Sequence, residues 1–256
     1  MKRLIALLLA ALLLLSGCSE ADPNATTGGG LSDDSETTSL EPIAQKQVGT
    51  FGLSYYPEYG LNPYDCYATT NRAMFSLLYE CLFVVSNGFA PEPVLCKSFS
   101  VSTDGLTYTF TLQPNVLFSD GSAMTADDVV NSINVARGSN LFRSRLAHVI
   151  SCSGADGVVT ILLDTPYENL PLMLDVPIVK QGTAQSERPI GTGPYKLYGS
   201  KLVYNTSWWQ DTKRIMEYKE INLSAASGTD DVRDQFEFGG TDLVYCDPNA
   251  AASAGY

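Results

Sequence analysis

Histidine is almost missing from this chain: His148 is the only one in 256 residues. Chemistry that leans on imidazole, as general base or metal ligand, has one side chain to work with. That residue sits in the apolar string Arg145-Leu-Ala-His-Val-Ile150, the setting of a packed or surface residue rather than a base. There is no Gly-x-Ser-x-Gly elbow, the usual strand-to-helix setting of a serine nucleophile. The six cysteines, Cys18, Cys66, Cys81, Cys96, Cys152 and Cys246, never fall in Cys-x-x-Cys spacing, so a zinc or iron–sulfur site has no pattern behind it. Gly191-Thr-Gly193 lacks the Lys-Ser/Thr and the glycine spacing of a phosphate loop. Positive charge is also scarce, with 16 Lys and Arg against 28 Asp and Glu and a net charge of −12. No basic run occurs. Nucleic acid is thereby disfavoured as a partner, because phosphate binding needs Lys/Arg patches. No cofactor and no metal are expected.

What is present begins at the chain start. Lys2 and Arg3 precede an unbroken apolar run from Leu4 to Leu15, followed by Ser16-Gly17-Cys18. The run is short for a bilayer, so residues 1–17 read as an export signal. Leu15-Ser-Gly-Cys18 looks like a lipobox, in which Cys18 is diacylated and becomes the new N-terminus; an ordinary signal peptide or a short anchor is the plainer alternative. Two acyl chains anchor stably where one does not, so the expected location is the extracytoplasmic face of the cell membrane, in a periplasm or outside the cell. Residues 18–48 carry Gly28-Gly29-Gly30 and Ser32-Asp-Asp-Ser-Glu36 without an apolar period, the composition of a disordered tether. Export permits disulfides. Setting Cys18 aside leaves an odd number of cysteines, so at least one is unpaired.

Globular sequence begins near Val48. Gly49 to Tyr56 reads as a strand. Thr70 to Cys81 reads as one helix with Met74, Phe75, Leu77, Leu78 and Cys81 along its core stripe. Leu82 onward reads as a hairpin turning at Asn87-Gly88. After the Asp104-Gly105 turn, Leu106, Tyr108, Phe110 and Leu112 alternate with threonines, a strand with one buried face. Asp120-Gly121 makes a second turn. Thr125 and Asp128 have capping-box spacing before a stripe of Val129, Val130, Ile133 and Ala136. Val158 to Leu163 is a strand after Asp156-Gly157, Asp231 to Phe238 a helix and Gly239 to Val244 a strand.

The string from Ser100 to Ser132 closely resembles the signature of bacterial extracellular solute-binding proteins of family five, the receptors of peptide and nickel ABC importers. Leu61-Asn-Pro63, Leu78-Tyr-Glu-Cys-Leu82, Pro93 to Phe99, Ile190-Gly-Thr-Gly-Pro-Tyr195, Tyr204 to Trp209 and Gly239 to Val244 resemble further family motifs, in the same order. Cys81 departs from the family at a small-residue position. The resemblance implies a partial α/β periplasmic-binding-protein type II fold. Residues 49–81 and 176–247 would form an incomplete lobe one, 82–175 an inserted small domain and 248–256 a tail, with lobe two expected to be absent. It implies capture of an oligopeptide or dipeptide for ABC permease subunits, with no reaction catalysed. In oligopeptide-binding members the segment just after Leu-Asn/Asp-Pro offers a backbone edge to the ligand. The ungapped spacing from Pro63 to Tyr79-Glu80 carries that contact onto Tyr67, Ala68 and Thr69; by themselves these residues also read as a loop leading into the next helix. A sensory or chaperone-like lipoprotein on the same fold, and more remotely a secreted hydrolase, are the alternatives. Trp208-Trp209 is expected to pack rather than to stack on a ligand.

Overall fold

Two sheets, each with its own helices, account for most of the chain. The computed structural model describes residues 50–211 and 216–245; the 1–17 leader, Cys18, the 18–48 tether, Cys246 and the 248–256 tail lie outside them. The elements in chain order are β1 (Phe51–Tyr55), α1 (Thr69–Arg72), α2 (Phe75–Leu78), β2 (Phe83–Val85), β3 (Pro91–Pro93), β4 (Cys96–Val101), β5 (Thr107–Leu112) and α3 (Ala126–Gly138). They continue as β6 (Val149–Ala155), β7 (Val158–Leu163), α4 (Leu170–Met173), β8 (Tyr195–Tyr198), β9 (Lys201–Tyr204), β10 (Glu220–Ala225) and α5 (Thr229–Glu237). No helix among the described residues is long and apolar enough to cross a membrane.

The first sheet has the order β1-β10-β9-β8, with β1 parallel to β10 and the other pairs antiparallel. Its strands come from both ends of the described sequence. Between them the chain makes the β2–β3 hairpin and a second sheet, β4-β5-β7-β6, antiparallel throughout. Alternation decides the faces: Tyr108, Phe110 and Leu112 of β5 are buried, while Thr107, Thr109 and Thr111 are only partly covered. Phe110 lies 5.9 Å from the ring of Phe83 and 5.8 Å from that of Phe99, so the buried face of this sheet reaches the hairpin through aromatic contacts.

Helix α3 lies over β6 and β7, burying Val129, Ile133 and Ala136. Gly154 on β6 admits it: a Cβ there would stand 2.8 Å from that of Ala126. The helix starts where the capping box predicts. The Asp128 carboxylate accepts hydrogen bonds from the Thr125 N–H at 2.8 Å and its hydroxyl at 2.7 Å. The same carboxylate accepts the Gln181 N–H at 2.8 Å, Ser132 and Val179 exchange two hydrogen bonds, and Lys180 pairs with Asp120 at 2.6 Å. These bonds fasten the signature helix to the strand-like segment that leads back to the first sheet.

Three expectations are corrected. The predicted 70–81 helix is two short helices parted at Ala73-Met74, because Met74 N–H bonds back three residues to Asn71 and the Asn71 side chain is turned to Tyr56 and Gly60. The second ends at Leu78, whose carbonyl accepts the Gly193 N–H at 3.0 Å. The hairpin turns over a longer loop than Asn87-Gly88, with Phe89 rather than Gly88 at positive φ (56°). Residues 239–244 make only an isolated parallel bridge, Leu53 to Leu243, and no strand. Strand β6, whose Ser-Cys-Ser-Gly core carries no alternation signal, was not expected at all.

Candidate ligand-binding site

Two asparagines shape the segment that follows β1. Asn62 is buried, and its amide donates to the carbonyls of Ala184 at 2.9 Å and Ser186 at 2.7 Å while its side-chain oxygen accepts the Tyr64 N–H. The Tyr64 hydroxyl donates to Pro177 O at 2.7 Å, and burial pushes its pKa far up. Leu61-Asn-Pro63 is therefore a plug in the 177–187 segment. Asn71, fully buried, brackets the Tyr56 N–H and the carbonyls of Tyr56 and Gly60. Between the two anchors the chain has to bulge outward.

Tyr67, Ala68 and Thr69 form that bulge. Tyr67 is 58% exposed, Thr69 is exposed and Ala68 is half-buried, over a buried Cys66. Ala68 is the extended residue that precedes α1, and its carbonyl and that of Thr69 already accept the N–H groups of Arg72 and Ala73 at 3.0 Å. Tyr67 takes part in no backbone hydrogen bond among the described residues. The three predicted residues are thus neighbours on the surface, and Tyr67 alone offers both backbone groups to a visitor.

Behind this segment lies a residue whose role sequence reasoning missed. Glu80 is buried, and its two carboxylate oxygens accept four hydrogen bonds: Thr192 Oγ1 at 2.8 Å, Trp209 Nε1 at 2.7 Å, Trp208 Nε1 at 3.2 Å and Gln210 Nε2 at 3.0 Å. Burial raises its pKa, and these four donors oppose the rise. Every acceptor position that a carboxylate offers to strong donors is in use, so Glu80 ties segments together and takes no ligand. The available signal was that three motifs each lacked a role: Tyr79-Glu80, Gly191-Thr-Gly193 and Trp208-Trp209 all meet here. Trp208 packs as expected, buried at 4% exposure. Neither Gly191 nor Gly193 has positive φ. They are needed for close approach to α2, where a Cβ on Gly193 would stand 2.6 Å from the Leu77 carbonyl oxygen.

A cavity of about 460 Å3 adjoins both features, walled by Pro63, Phe75, Leu77, Phe142, Pro177 and Trp208, with Arg72 and Arg145 among its polar lining. His148 stands away from it on the surface, bonded through Nδ1 to Asp164 at 2.9 Å.

This sequence pattern and this architecture have a counterpart among known proteins. The family model for bacterial extracellular solute-binding proteins, family 5 (middle), matches residues 90–254. The chain belongs to that family. Among its relatives, the glutathione-binding protein GsiB of Pectobacterium atrosepticum is 34% identical over 152 residues, 54% of this chain and 29% of GsiB. In structure it resembles NikZ of Campylobacter jejuni, solved with Ni(L-His), with a TM-score of 0.62 at 22% identity over 76% of this chain and 42% of NikZ. It equally resembles the oligopeptide-binding protein AppA of Bacillus subtilis, solved with a nonapeptide, with a TM-score of 0.62 at 20% identity over 76% of this chain and 43% of AppA. The fold is therefore that of periplasmic-binding proteins of type II, and this family 5 chain spans less than half the length of the relatives it matches.

Proposed function

We propose that this chain captures short peptides for an ABC importer on the extracytoplasmic side of the membrane, held there by a diacylated Cys18. Membership in family 5 is the observation that carries the reading. The ligands named for two relatives, glutathione and a nonapeptide, are both peptides. In this reading residues 49–81 and 176–247 act as a ligand-facing lobe and 82–175 as a small domain inserted into it. The peptide lies along Tyr67, Ala68 and Thr69 and exchanges backbone hydrogen bonds with Tyr67, as an added strand does. The permease subunits receive the loaded protein, and no covalent step is involved.

The test removes one donor. Tyr67→Pro deletes an N–H that no group in the described residues uses. A hydrogen bond is worth about 1 kcal/mol net, so affinity for a mixed tripeptide pool, read by equilibrium dialysis, should fall about fivefold. The melting temperature should hold. Unchanged affinity would contradict the placement.

A further inference from the structure

We propose that the free edge of β8 is a docking site for an extended acidic segment of a partner protein, which adds a strand to the first sheet while Arg188 and Lys196 meet its carboxylates. The proposal goes beyond the solute-capture reading above and does not rest on it.

The first sheet ends at β8. Among the described residues that strand pairs with β9 alone, in a register running from Tyr195–Tyr204 to Tyr198–Lys201. Gly199, at positive φ (59°), opens the two-residue loop between them, as such a hairpin requires. Tyr198 and Lys201 are then the pair that exchanges hydrogen bonds, and the alternation of an antiparallel ladder turns the Leu197 N–H and C=O outward. The phase agrees further along: Tyr204 N–H donates at 2.9 Å to Lys219 O, away from β8. An open edge is a template for another strand. This one borders a groove of about 400 Å3, lined by Tyr195 to Tyr198 together with Ser119, Asp120 and residues 188–191. The groove shares Tyr79 alone with the cavity of about 460 Å3 described above, so it is a separate place on the molecule.

Charge selects the visitor. The chain carries a net charge of −12, yet this groove holds two free cations. Arg188 and Lys196 are both exposed, and neither side chain has a hydrogen-bond or ion-pair partner among the described residues. Asp120, the carboxylate on the wall, is already paired with Lys180 at 2.6 Å. A lysine on an edge strand by itself only blunts unwanted pairing. The second free cation, Arg188, lies outside β8 and has no part in that. An added strand with acidic and apolar residues in alternation would bring carboxylates to Arg188 and Lys196 for charge-assisted hydrogen bonds, and apolar side chains to Leu61, Ile190 and Leu197. Tyr198, 75% exposed, offers its ring at the end of the same edge. A second copy of this chain fits less well, because pairing β8 with β8 would bring the free cations of both copies together.

The probe is the blocked pentapeptide Glu-Val-Glu-Val-Glu against Gln-Val-Gln-Val-Gln, which matches it in shape and lacks its charge. Each is titrated into the full chain and followed by amide NMR. The acidic peptide should shift the Leu197 amide and bind at least about tenfold more tightly than the neutral one at low ionic strength. A version N-methylated at every residue cannot pair with the edge and should bind at least about tenfold more weakly. The double variant Arg188→Gln, Lys196→Gln should keep the fold, since both side chains are exposed and unpartnered, and should cut the acid preference to below about threefold. Equal binding of the two peptides, no binding of either, full binding of the N-methylated version, an undiminished preference in the double variant, or no acid-selective shift at Leu197 would each overturn the proposal. A dimer that the peptide dissociates, read by sedimentation, would assign the edge to a second copy and overturn it as well. Shifts at Tyr67 to Thr69 bear only on peptide capture along that segment, so one titration scores the two sites separately.

Discussion

Glu80 is the buried polar hub of the described residues, accepting four side-chain hydrogen bonds. It gathers donors from two stretches of sequence, Thr192 and Trp208 to Gln210, each more than a hundred residues away, and a carboxylate is the one side chain that accepts from all of them at once. Glu80→Gln keeps the shape but turns one acceptor into a donor, which no indole N–H can answer. Leaving such a buried group unsatisfied costs about 1–3 kcal/mol. The pH dependence has a definite sign. Because burial raises the folded-state pKa above the ordinary glutamate value of about 4.3, this group's contribution is fully present below that value and is lost as pH rises through the folded value. Thermal melts from pH 4 to 8 should therefore show the advantage of wild type over Glu80→Gln largest at the acid end. An advantage that grows with pH would mean that the four hydrogen bonds outweigh burial.

Among the elements, β5 separates the two faces of its sheet most sharply. Phe110 is fully buried and in ring contact with Phe83, Phe99 and Tyr108, while Thr109 lies on the other face. Phe110→Ala should destabilise by about 3–5 kcal/mol, the usual range for a core aromatic. Thr109→Ala should cost well under that, and denaturant melts showing the two equal would contradict the register. Strand β5 and helix α3 were legible in the sequence because local signals agreed: alternation, Asp-Gly turns and a capping box at the right spacing. Where tertiary contacts overrode local pattern, reading failed. The stripe from Met74 to Cys81 is periodic, yet Asn71 is diverted to the 56–60 loop and Gly193 takes the last carbonyl, so one expected helix became two. Strand β6 pairs through Ser-Cys-Ser-Gly, residues with no strand signature, because β7 supplies the partner and Gly154 the room for α3. At the site, Tyr67 to Thr69 could be placed only by resemblance. The Glu80 hub was invisible because its five members are scattered from residue 80 to residue 210.

At the scale of the whole molecule, two properties of the proposal are open to direct test: how the protein is held and how tightly the described residues bind a peptide. Anchoring rests on Leu15-Ser-Gly-Cys18 after a short apolar run. Labelled palmitate should enter the wild-type protein, which should then fractionate with membranes, and Cys18→Ala should abolish both; equal labelling of the two would refute the anchor. Binding is limited by geometry. One surface segment with one uncommitted backbone residue meets a ligand from one side only, and association costs several kcal/mol in lost freedom before net affinity appears. The described residues should thus bind a peptide no tighter than about millimolar, roughly 4 kcal/mol. The most direct measurement is an amide NMR titration of residues 18–256, carrying Cys18→Ser, with trialanine. Peptide capture on this segment predicts the largest shifts at Tyr67, Ala68 and Thr69, with half-saturation near millimolar. Shifts centred elsewhere, with Tyr67 to Thr69 unmoved, or micromolar affinity from this chain alone, would contradict it.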